Sequence, residues 1–72
     1  MLHLSAKWAE VLARQPETGM GYQVATVRLH DGRAFVGAVI VGGIVTSVRG
    51  HREIPFAEAD IAEIIVNSRS SG

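Results

Sequence analysis

Histidines and turn arginines are the side chains with most chemistry to offer here, and what is missing around them narrows that chemistry. The chain of 72 residues has no cysteine, so thiolate nucleophiles, disulfides and cysteine-based metal sites are excluded. His3, His30 and His51 lie far apart in sequence, without the close-spaced pair that structural zinc sites use. Neither a metal nor another cofactor is expected. No G-x-S-x-G elbow, glycine-rich phosphate loop or H-E-x-x-H pair occurs. The carboxylates Glu53, Glu58, Asp60 and Glu63 could supply an acid–base pair, but nothing in their spacing marks a cleft. No catalytic residue is predicted.

Seven basic and seven acidic residues cancel, which removes the global positive field of a protein that grips nucleic acid mainly by charge. The distribution is uneven. Residues 28–52 hold Arg28, Arg33, Arg49 and Arg52 against Asp31 alone, whereas 53–63 carry four carboxylates and no basic side chain. Five of these residues, His30, Arg33, Arg49, His51 and Arg52, fall in two turns and make a candidate anion patch, because guanidinium groups contact phosphate or carboxylate in bidentate fashion. The plainer alternative is a pair of solvated turns in which arginines pair with Asp31 and Glu53.

Those turns need strands to hold them. Ser5 is a plausible N-cap, and Leu4, Trp8, Val11 and Leu12 recur at helical spacing. A helix is predicted over about 6–15, aided by the Glu10–Arg14 pair and ended by Pro16. On that face Trp8 reads as a core residue rather than a binding platform. A turn-rich connection at 16–21 leads into a region dominated by β-branched residues. Glycine-bearing turns at 31–32, 42–43 and 49–52 divide it into strands at about 22–30, 33–41, 44–49 and 53–56, the last weakened by Pro55. Gly42-Gly43 reads as a hairpin turn. After a short turn at 57–60, a fifth strand is expected at about 61–67; the helix formers at 57–63 keep a helix over 57–66 open as the alternative, against the β-branched run Ile64-Ile65-Val66.

The second strand is apolar on both sides. Phe35, Gly37, Val39 and Val41 fall on one side by simple alternation, and Ala34, Val36, Ala38 and Ile40 on the other. An antiparallel strand facing water should alternate apolar with polar. One side therefore needs the interior, and the other needs the helix or a second subunit.

The segment 27–37, VRLHDGRAFVG, resembles the first signature of Sm-like proteins, including the bacterial Hfq type, in its alternating apolar residues, Asp-Gly turn and following glycine. That resemblance implies an N-terminal helix followed by a five-stranded antiparallel SH3-like/Sm-like barrel, a mainly β fold. Sm-like proteins hold RNA bases on the second-to-third and fourth-to-fifth strand loops. The corresponding loops here, 42–43 and 57–60, lack the aromatic platforms and basic side chains that single-stranded nucleic acid requires.

One small barrel domain over 1–67 with a frayed polar tail at 68–72 is therefore expected. A domain this small buries only about 60% of its unfolded surface, and with no disulfide or metal to brace it, a homo-oligomer is the expected partner state. No signal-peptide or membrane-spanning pattern is present, so the expectation is a cytoplasmic protein without a membrane partner. The sequence supports a non-enzymatic, self-assembling interaction or scaffold module of otherwise unknown function. Its alternatives are an Sm-like binder of nucleic acid or another polyanion through the Arg/His-rich end, and an enzyme whose active site forms between subunits.

Overall fold

The computed structural model describes residues 1–15 and 21–66. Most of the connection predicted at 16–21, and the polar tail, lie outside those residues. The elements run β1 (Leu2–His3), α1 (Ala6–Ala13), β2 (Gln23–Leu29), β3 (Ala34–Val41), β4 (Ile44–Val48), a 3-10 turn at Glu58–Asp60, and β5 (Ile61–Val66). The strands form one antiparallel sheet in the order β1-β4-β3-β2-β5, curled into a half-barrel. This is the mainly β fold with an N-terminal helix that the sequence predicts.

One strand differs from expectation. Residues 53–56 form no strand, and the place expected for them beside the other four is taken by β1, Leu2–His3, paired with Val45 and Ile44. The cause is local. His51 turns straight back to bridge Val48, Leu2–His3 occupies the adjoining edge of β4, and Pro55 lacks the N–H a ladder needs. The segment instead drops Phe56 into the core, where it is 8% exposed. At 61–66 the strand reading holds, entered through the 3-10 turn at Glu58–Asp60.

Three register shifts bend the sheet. Between Ala25↔Ala38 and Val27↔Phe35 two residues of β3, Val36 and Gly37, oppose Thr26 alone. Comparable shifts place an extra residue on β4 at Thr46 and on β5 at Ala62. Each bulge resets the in–out alternation of its strand and sharpens its twist. In β3, Phe35, Ala38 and Ile40 therefore face inward, while Val36 and Val41 face out. This overturns simple alternation, which put Phe35 with Val41 and Val36 with Ala38. Gly37 makes the switch possible through its positive φ of 84°, a conformation that costs glycine little and other residues much.

The core forms from Trp8 and Leu12 on α1 and from Val27, Ile40, Val45, Val48, Phe56, Ile61 and Ile64, among others. Leu4, Trp8 and Leu12 recur four apart, so one stripe of α1 meets the concave side of the sheet. Val11 lies off that stripe and is exposed. Ser5 stands at the N-cap with extended backbone, but its side chain makes no capping bond; its N–H donates to the Glu58 carboxylate instead. At the other end of the helix, Gln23 is buried and its Nε2 donates to the carbonyls of Leu12 (2.8 Å), which also accepts the Gln15 N–H, and of Gln15 (3.2 Å), tying β2 to the chain leaving α1.

Candidate anion-binding site

Two tight turns place the basic residues. In the β2–β3 turn, Leu29 N–H donates to Arg33 C=O (2.8 Å) and Gly32 adopts φ 96°. Asp31 folds back on this turn, accepting from the Arg33 N–H at 3.0 Å and from its Nε at 2.7 Å. The Arg33 N–H, and then its guanidinium, hold the Asp31 carboxyl below the usual carboxylate range. In the turn after β4, His51 N–H donates to Val48 C=O (3.0 Å), with Gly50 at φ 82°.

Both turns converge on the bulge of β3. The Arg33 guanidinium lies 5.9 Å from the centre of the Phe35 ring. The His51 ring meets Phe35 edge to face at 5.4 Å, and Phe56 supports Phe35 from the core at 5.5 Å. Arg49 donates its N–H to Gly37 C=O at 3.1 Å. Its side chain lies across the bare α-carbon of Gly37, so closely that a Cβ there would stand 2.8 Å from Arg49 Cβ and 3.3 Å from its Nε. Arg33, Arg49 and His51 are thus gathered around residues 35–37. Arg52 follows in the same turn, exposed.

His30 belongs to the same β2–β3 turn as Arg33. Its N–H donates to Asp60 C=O (2.9 Å), which brings the 3-10 turn and its carboxylates beside the β2–β3 turn. Asp31 takes Arg33 as the plainer reading expected, whereas Glu53 makes no ion pair among the described residues. Among the described residues, neither Arg49 nor Arg52 has a carboxylate within ion-pair distance. Phe35 and Gly37 were not anticipated as organisers, although a glycine inside a strand pattern is itself a signal of a bulge or a close approach.

Three of the four clustered carboxylates are engaged in the scaffold. Glu58 accepts from Ser5 N–H, Asp60 accepts from Ala57 N–H at 3.0 Å, and Glu63 lies 3.6 Å from Arg28. Gly42 and Gly43, both at positive φ, close the β3–β4 hairpin, and Gly43 packs against Ala9 of α1.

The convex side of the sheet is a second feature. Val36 is 60% exposed, Val41 43% and Ile65 42%, with Val24 and Val39 half-buried. They are neighbours: Val24 pairs with Val39, and Thr26 lies between Ile65 on one side and the Val36 bulge on the other. No helix among the described residues is long and apolar enough to cross a membrane. No family model, curated protein or solved structure matches the chain.

Proposed function

We propose that this protein is a self-assembling, Sm-like small barrel that serves as an interaction or scaffold module, without a catalytic site of its own. The observation that carries the reading is the exposed apolar surface on the convex face of β3. Two covers were conceivable for a strand apolar on both sides, the helix or a second subunit. The Trp8–Leu12 stripe of α1 packs into the concave side, so the convex side is left to a partner.

A second copy is the partner that fits. The chain has no net charge to keep copies apart, and the patch is bordered by both members of the Arg28–Glu63 pair, which a two-fold arrangement would set against their opposites. Burying the remaining exposed part of each valine and isoleucine contributes on the order of 1 kcal/mol. Association costs about 4–15 kcal/mol in lost freedom, so one small patch is insufficient and two self-complementary patches reach the needed scale.

Light scattering on the purified chain tests this. A mass of two or more chains at micromolar concentration is expected, and Val36→Asp should give a folded single chain, because a carboxylate at the centre of the interface would be desolvated without a partner. A wild-type protein that stays a single chain at these concentrations would overturn the proposal.

A further inference from the structure

We propose that Arg49 and His51, seated at the β3 bulge, together with Arg52 beside them in the chain, form a binding site for a phosphate group, independently of whether the convex face assembles. Three observations converge on it. The donor side chains of Arg49 and His51 are positioned by packing rather than by counter-charges: Arg49 lies along Gly37 and the His51 ring is set by Phe35. Side chains already ordered lose less freedom when they bind. The charges are also available, since Arg49 and Arg52 have no carboxylate partner among the described residues, whereas Arg33 is taken by Asp31 at 2.7 Å. Finally, the bulge exists where it does because Gly37 adopts φ 84°, and this same residue lets the Arg49 stem approach the strand.

The chemistry selects a phosphate. Two guanidinium groups and an imidazole within four consecutive residues carry several N–H donors, and a tetrahedral oxyanion offers enough oxygens to meet them, with each guanidinium able to bind in bidentate fashion. All three side chains are exposed, so the site accepts a phosphate in solution or one carried on an extended backbone.

The test is an amide-resolved NMR titration of the whole chain with two probes at constant ionic strength, inorganic phosphate and a short single-stranded oligodeoxynucleotide. Saturable shifts of the amides at 49–52 are expected. Arg49→Gln should weaken binding about tenfold, the loss of roughly one charged hydrogen bond, whereas Arg28→Gln, which removes the same charge from the convex face, should leave affinity unchanged. If inorganic phosphate saturates those amides, the group is recognised by itself. If only the oligonucleotide does, with affinity that falls steeply with salt, the phosphate is recognised as part of a polymer. Absence of saturable shifts at 49–52 with either probe, or equal weakening by the two substitutions, would overturn the site.

Discussion

Trp8 shows how much of this small fold rests on single side chains. It is the chain's one tryptophan, only 9% exposed in the core, with Lys7 Nζ 5.0 Å from its ring centre on the outside. Trp8→Ala should cost about 3–5 kcal/mol, a large part of the stability of any small domain. Urea unfolding followed by circular dichroism measures that loss, and the native emission of Trp8 should be blue-shifted and move red on unfolding. An emission maximum like that of the free amino acid in native buffer would refute the docking of α1. Gln23 supports the same contact from the sheet side, because its buried amide donates to the carbonyls of Leu12 and Gln15 and so ties β2 to the end of α1.

At the scale of elements, the start of α1 is held by a bond between distant parts of the chain. The Ser5 N–H donates to Glu58, and this bond, with a smaller contribution from the charge of Lys7, lowers the Glu58 carboxyl below its usual range. A carboxyl whose folded value is depressed adds stability above the unfolded value and loses it as pH falls through the folded one. The thermal midpoint should therefore decline on acidification below the ordinary glutamate range, and Glu58→Gln should flatten that decline while keeping an acceptor for Ser5. Asp31, lowered by Arg33, contributes in the same direction, so the combination with Asp31→Asn should flatten it further. An unaltered pH profile in the double variant would show that these bonds do not persist in solution.

The whole molecule is an open sheet. β1 and β5 lie at its two edges, and β1 contributes only Leu2 and His3 to its ladder. An exposed edge and an apolar convex face both favour pairing with another chain. If assembly stabilises the fold, the thermal midpoint must rise with protein concentration, because only the folded chain associates. A scanning calorimetry series over a hundredfold range, about 2.7 kcal/mol of mass action, checks this, and the dependence should vanish in Val36→Asp.

Local chemistry determined most of the elements. Proline and glycine punctuation, helical spacing of Leu4, Trp8 and Leu12, and β-branched runs located α1, β2, β3, β4 and β5, since these signals act over a few residues. The convergence of two arginine-bearing turns was also legible, because consecutive hairpins return alternate turns to one end of a meander. What sequence could not decide were choices between competing long-range partners. Leu2–His3 and 53–56 could each flank β4, and Pro55 together with the His51–Val48 bridge settled the contest for the N-terminus. The inward face of β3 depended on a bulge at Gly37, and one residue of shift moves every later side chain to the other side of the sheet. Asp60 drew His30 toward the acidic turn, while Phe35 and Gly37 gathered Arg33, Arg49 and His51. Those assignments depend on backbone groups brought together from opposite ends of the chain, and only the tertiary structure counts them.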